Sequence, residues 1–339
     1  MIIQENFSLQ AYNTFGVAAK AHFFTEVNTL DELKDTIVFS KEKQLPLLFL
    51  GGGSNILFTQ DFGGLVIQMN LKGISENKVD ADHVLVTAKA GENWHQFVLS
   101  CLDKNYGGLE NLSLIPGNVG TSPIQNIGAY GTEIKDVFHE CKVLNLETLE
   151  EEVFNLETCR FGYRDSIFKQ EGKGKYVILE VTYRLTLEQH QIKVDYGAIR
   201  SELAKRNIEN PTIKEVSEAV VAIRESKLPN PKEIGNAGSF FKNPTVETSV
   251  YENLKSQYPD ISGYPNQHGV KLAAGWLIEQ AGWKGKQIGN VATHHLQALV
   301  IINKTGKASG KEIFDFSSQI IASVQEKFGV LLEREVNIL

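Results

Sequence analysis

The stretch from Ile115 to Gly131 reads IPGNVGTSPIQNIGAYG, and no regular element accommodates it. It has no helical period, and its turn formers are too dense for a strand. Loops this long inside compact domains usually carry function. An earlier stretch imposes a similar constraint. Gly51-Gly52-Gly53-Ser54-Asn55 follows the apolar run Leu47 to Leu50, which Pro46 introduces and which reads as a buried strand. Backbone N–H groups hold diphosphates well, and only glycine lets a chain approach that closely or take positive φ freely. Alone, Gly51 to Asn55 reads first as a tight turn after a strand, because Ile56 stands where a Rossmann fingerprint needs its third glycine. With the second loop, which carries Gly117, Gly120, Gly128 and Gly131, it could enclose one extended dinucleotide between two small lobes.

The other elements are mixed in kind. Leu30, Leu33, Ile37 and Val38 are spaced for a helix, and Val84 and Val86 for a strand that ends near Gly91. Asn93 is placed to cap a helix with Trp94, Phe97, Val98 and Cys101 on one face. Val177, Leu179, Val181, Tyr183 and Leu185 alternate as a half-buried strand should. From Leu185 to Pro211 the sequence reads as a polar, irregular connection. Thr212 with Glu215, and Ser309 with Glu312, are capping-box patterns ahead of amphipathic helices. Pro229 and Pro231 mark a boundary, and Val330, Leu332, Val336 and Ile338 predict a final strand with Glu333 and Glu335 on its other side. Without a regular βαβ alternation, an α+β chain is expected.

At 339 residues and 42% hydrophobic, there is material for two or three compact units. The net charge of −7 argues against a broad nucleic-acid surface, though not against a phosphate ligand in a local loop. The start Met-Ile-Ile-Gln-Glu has no secretory pattern, and no apolar run is long enough to span a bilayer. Cys101, Cys141 and Cys159 are odd in number and lack ligand spacing, which suggests neither disulfides nor zinc. The expectation is a cytoplasmic, soluble monomer with no nucleic-acid or membrane partner and no bound metal.

Five further motifs, taken with the second glycine stretch, make the reading specific. They are LGGGSNILF (50–58), RFGYRDS (160–166), NAGSFFKNP (236–244), KLAAGWLIE (271–279) and LEREV (332–336). In this order, and with Asn13-Thr14-Phe15-Gly16, they closely resemble the UDP-N-acetylenolpyruvoylglucosamine reductase (UDP-N-acetylmuramate dehydrogenase) family over essentially the whole chain. The resemblance implies a flavin-binding fold of the vanillyl-alcohol-oxidase type, built from two lobes, with a C-terminal α+β substrate domain. The expected boundaries are 1–70 with the last strand 331–339, then 71–228, then 229–330. It implies FAD as cofactor, with Gly51, Gly52, Gly53, Ser54, Asn55, Ile56, Gly117, Gly120, Thr121, Ser122, Gln125, Asn126 and Gly128 around it. Gly52 stands where other members can carry a side chain, a difference not expected to affect flavin binding. NADPH would reduce the flavin, and the reduced flavin N5 would then pass hydride to the enolpyruvyl methylene carbon of UDP-N-acetylglucosamine enolpyruvate. The product, UDP-N-acetylmuramate, is a peptidoglycan precursor.

That chemistry creates an enolate-like carboxylate and requires a proton at the α-carbon. By resemblance, Ser239 is the proton donor, Arg164 the partner of the substrate carboxylate, and Glu335 the acid that polarises it. The bland readings are a turn serine for Ser239, a solvated strand face for Glu335, and a surface ion pair for the neighbouring Arg160. Tyr196, Lys227, Asn243, Tyr264, Lys284 and Gln297 match substrate-binding positions. Lys284 suits the diphosphate, and Tyr264 lies in a Tyr-Pro turn that could act as a lid, as in the longer subtype. Arg224, near Lys227, reads equally as complementing a helix dipole. His294-His295 lacks ligand spacing and reads as a loop beside the nucleotide rather than a metal site. Two rivals are an FAD oxidase of the same fold and a non-catalytic nucleotide-sugar sensor. Against the oxidase, no His lies between 23 and 82 to tether a flavin; against the sensor, all three catalytic residue types are present.

Overall fold

The computed structural model describes residues 2–339. The chain forms two compact units, each assembled from separate segments. The first comprises 2–7, Ala21–Gly52 and Gly63–Ser226; the second comprises Ser8–Lys20, Gly53–Phe62 and Lys227–Leu339.

A four-stranded sheet runs in the order Gln4–Ser8, Lys20–Val27, Phe62–Met69, Leu47–Leu50. Leu47–Leu50 lies parallel to Phe62–Met69, which puts the first glycine loop at the end of a buried strand. The helix Leu30–Glu42 begins at Thr29, whose hydroxyl accepts from the Glu32 N–H, and it packs Leu33 and Ile37 onto Leu65 and Ile67. The first unit also holds a five-stranded antiparallel sheet in the order Glu151–Asn155, Phe138–Asn145, Tyr176–Thr186, His83–Lys89, Ile74–Lys78. Asn93 caps the helix Trp94–Asp103, which buries Trp94, Phe97, Val98 and Cys101 as its spacing predicts.

The strand Tyr176–Thr186 departs from its half-buried reading. Its register against Phe138–Asn145 slips between Lys142 and Val143, leaving Leu179 as the extra residue of a bulge. A one-residue slip exchanges faces. Val177 and Leu179 therefore join the core under the first sheet, whereas Val181, Tyr183 and Leu185 join the one around Trp94 and Phe97. The connection read as irregular contains a helix, Gly197–Lys205. Its Ile199 and Leu203 pack on Val216, Val220 and Ile223 of the helix Ile213–Lys227.

In the second unit a four-stranded sheet orders Asn236–Ser239, Val300–Asn303, Val291–Thr293, Gln287–Ile288, and a three-stranded one orders Thr245–Val246, Gly269–Leu272, Gly263–Asn266. The helix Gly310–Phe328 opens on the Ser309/Glu312 capping box and closes on Gly329 at φ 68°. It buries Ile313, Phe316, Ile320, Val324 and Phe328. Of the final strand only Asn337–Ile338 pairs as a ladder, parallel to Ile56–Leu57; the residues before it join Phe241 through one bridge at Arg334. Among the described residues no helix is long and apolar enough to cross a membrane.

Candidate functional site

In the first unit the two glycine stretches touch. A Cβ on Gly52 would lie 2.8 Å from Gly117 Cα, and one on Gly51 would lie 2.7 Å from Thr121 Cγ2. A Cβ on Gly120 would sit 2.4 Å from that of Ala90. Here a side chain at Gly52 would push the loops apart, so this glycine does matter to the approach. A cavity of about 520 Å³ reaches both loops, with Gly51, Gly120 and Thr121 in its wall beside apolar Phe49, Met69 and Ile178.

The two loops differ in what their backbones offer. Val119, Gly120, Thr121 and Ser122 already donate their N–H groups to the carbonyls of Glu92, Ala90, Asn118 and Val119. Ser122 and Asn126 are also engaged internally. The Ser122 hydroxyl meets Tyr183 at 2.9 Å, and Asn126 donates to Glu133 at 3.0 Å and to the Gly162 carbonyl at 2.9 Å. Among the described residues no protein acceptor takes the N–H of Gly52 or Gly53. Unpaired backbone N–H groups are the kind of donor a diphosphate requires, and the second stretch contributes Gly120 and Thr121 to the cavity wall. These residues fit an FAD.

The far end of the first loop, from Gly53, belongs to the second unit. Gly53 has φ 61°, and a Cβ there would meet the Tyr12 carbonyl oxygen at 2.0 Å. The Gly53 carbonyl accepts from Thr14 N–H at 3.0 Å. Asn13, buried, holds that turn by donating to Leu9 and Val17 carbonyls and accepting from Val17 N–H. The neighbouring Ser54 and Asn55 are half-buried and Ile56 is buried; the Asn55 amide donates to the Glu335 carbonyl at 3.3 Å.

Ser239 ends the strand Asn236–Ser239 and is exposed. The Asn236 side chain accepts from Gly238 N–H at 2.9 Å, and Gly238 at φ 69° turns the chain into Ser239. Antiparallel to the next residues runs 333–335: Lys242 N–H donates to Glu333 at 2.9 Å and Glu335 N–H donates to Phe240 at 2.8 Å. The pairing brings half-buried Glu335 beside the residue that follows Ser239. Glu333 forms an ion pair with Lys242.

Two other expected residues converge on the start of the helix Ala274–Gln280. Asn243 Oδ1 accepts from Ala274 N–H at 2.9 Å, and Gln297 Oε1 lies 3.2 Å from where a Gly275 Cβ would be. Lys284 pairs with Glu279 of that helix at 2.9 Å. Tyr264, on the strand Gly263–Asn266, is exposed, as is Lys227 at the end of its helix.

In the first unit Arg164 occupies the left-handed position (φ 54°) of a turn closed by Gly162 and Asp165, and its guanidinium donates to the Gly128 carbonyl at 2.7 Å. Arg160 instead forms an exposed ion pair with Glu171. Tyr130, absent from the expected set, and Arg224, read evenly between a site role and a helix dipole, lie close by. Arg224 interacts electrostatically with the Tyr130 hydroxyl and feels the charge of Arg164, and Tyr196 packs edge-on to Tyr130 with centroids 5.2 Å apart. Burial raises the Tyr130 phenol above its ordinary pKa, against the opposing pull of Arg224. Tyr130 was available as part of the glycine stretch, whereas a helix-end arginine has no distinguishing signal. Among the described residues no cluster could hold a metal ion.

A family model described as an FAD binding domain matches residues 21–148. One described as the C-terminal domain of UDP-N-acetylenolpyruvoylglucosamine reductase matches 230–339. The chain is 52% identical to the UDP-N-acetylenolpyruvoylglucosamine reductase of Flavobacterium johnsoniae, covering 100% of both. It is 49% identical to that of Pseudomonas syringae pv. tomato, over 99% of this chain and 98% of the relative. The crystal structure of the reductase from Thermus caldophilus shares the fold, with a TM-score of 0.67 at 22% identity over 100% of this chain and 99% of that one. With half its residues matched from end to end, the chain belongs to the UDP-N-acetylenolpyruvoylglucosamine reductase family.

Proposed function

We propose that this chain is an NADPH-dependent FAD enzyme that reduces UDP-N-acetylglucosamine enolpyruvate to UDP-N-acetylmuramate in peptidoglycan synthesis, with Ser239, Glu335 and Arg164 as its catalytic residues. The observation that supports the catalytic assignment is the backbone pairing of 240–242 with 333–335, which puts half-buried Glu335 across from the residue that follows exposed Ser239. Bound FAD supplies hydride transfer from NADPH to the enolpyruvyl methylene carbon.

The protein supplies the remainder. As the double bond is reduced, charge builds on the carboxylate. The Arg164 guanidinium, planar and permanently charged, suits that pair of oxygens. Glu335 hydrogen-bonds the same carboxylate, and Ser239 gives its proton to the α-carbon. A serine hydroxyl is a weak acid, so its close placement has to supply the advantage that its acidity does not. Asn243, Gln297, Lys284, Tyr264, Tyr196 and Lys227 hold the nucleotide sugar. Residues 1–70 with 331–339, and 71–228, act as flavin lobes and 229–330 as the substrate domain, in a cytoplasmic monomer without nucleic-acid partners.

The test is an anaerobic titration. The yellow holoenzyme should bleach with NADPH and regain its colour when UDP-N-acetylglucosamine enolpyruvate is added. Bleaching without recovery rules out this substrate.

A further inference from the structure

Leu114 stands at the entrance to the second glycine stretch with φ 57°, a left-handed conformation that costs a leucine roughly 1 kcal/mol or more. Both of its peptide groups are held by side chains. Its N–H donates to His95 Nδ1 at 3.0 Å, and its carbonyl accepts from Arg224 Nε at 3.1 Å. Tyr130, at the exit of the stretch, is also left-handed (φ 50°), and its hydroxyl interacts electrostatically with the same Arg224 guanidinium. One arginine thus bonds the strained entrance of the loop and interacts electrostatically with its strained exit, and a histidine on the helix Trp94–Asp103 completes the grip at the entrance. Strained backbone persists only where its surroundings over-determine it.

We propose that His95 and Arg224 are positioning residues that clamp Leu114, and that the clamp sets the geometry of the flavin loop only while His95 Nδ1 is unprotonated. This rests on the flavin reading above.

The groups facing His95 are Arg224, Glu225 and the Leu114 peptide. Burial chiefly, and then the Arg224 charge, hold the imidazole below its ordinary value, while Glu225 opposes them. Among the described residues Arg224 forms no ion pair with a carboxylate, and it feels the charge of Arg164. An imidazolium beside it would meet unneutralised positive charge and would have no lone pair for Leu114. A loop released from the clamp leaves His95 with an ordinary pKa near 6.5. Acidification below that value therefore favours the released loop, and the clamp is intact above it.

Flavin-free protein is titrated with FAD from pH 8 to 5, following flavin fluorescence, and the exchange of the Leu114 amide is measured without flavin. In wild type FAD affinity should fall roughly tenfold across the acid range, about the worth of one lost hydrogen bond. His95→Asn keeps an acceptor and cannot titrate, so its affinity should stay near the neutral wild-type level throughout. His95→Leu should bind roughly tenfold more weakly at every pH, with faster Leu114 exchange. Arg224→Lys, which keeps the charge but loses the fork, should weaken binding and keep the acid loss. An acid loss in His95→Asn equal to that of wild type overturns the proposal, as does wild-type affinity in His95→Leu. Should His95→Leu fail to fold, the His95→Asn profile decides. A wild type that binds no FAD at any pH instead removes the flavin reading itself.

Discussion

The assignment of Ser239 stands or falls on one separable effect. If its hydroxyl protonates the α-carbon, Ser239→Ala should leave bleaching by NADPH untouched and slow reoxidation by the nucleotide sugar by roughly 10²–10⁴-fold. Rapid-mixing absorbance resolves the two half-reactions, and equal losses in both would remove the role. Glu335→Gln belongs to the same experiment, because it keeps the shape and hydrogen bonding of the side chain but cannot carry charge. At this scale the sequence was informative wherever residue type and chemistry coincide. Ser239 and Glu335 were named from their motifs, and the chain pairing sets their backbones together. It was silent on Leu114, because a left-handed leucine leaves no mark in the sequence and its His95 and Arg224 partners lie 19 and 110 positions away. Asn126 is intermediate. It was expected at the flavin, and its side chain is turned inward to Glu133 and Gly162.

Helix ends were the most legible elements, since a capping box is a local pattern with a local cause. Ser309 accepts from the Glu312 N–H while Glu312 accepts from Ser309, satisfying two donors that the helix cannot. Ser309→Ala should cost about 1 kcal/mol by urea unfolding, and no change would mean that water serves the helix end equally well. Elements defined by their partners were harder to read. The helix Gly197–Lys205 presents only Ile199 and Leu203 to the core, too little for a periodic signal. The bulge at Leu179 changes which face is buried without interrupting the alternation that betrays the strand. Along the last residues the alternation is genuine, yet backbone pairing is confined to Asn337–Ile338 and one bridge, because Val330, Leu332 and Val336 are buried by packing rather than by a ladder.

For the whole molecule, the cavity against the glycine loops makes folding and cofactor loading linked equilibria. A ligand that binds only the folded state stabilises it by about 2.7 kcal/mol at a hundred times its Kd. The melting temperature of the flavin-free protein should therefore climb steadily with added FAD. Gly52→Val, which forces the two loops apart, should flatten that climb. A variant that tracks wild type would show that the loops yield without penalty.

The pairing of Ile56–Leu57 with Asn337–Ile338 also bears on biogenesis. Thr59 reaches the Leu339 carbonyl through both its N–H and its hydroxyl across a separation of 280 residues. At ribosomal speeds of about 5–20 residues per second, that early strand must wait roughly 15–60 s for its mate to be made. Nascent chains thus pass through a period with an unsealed seam, during which a chaperone has something to hold.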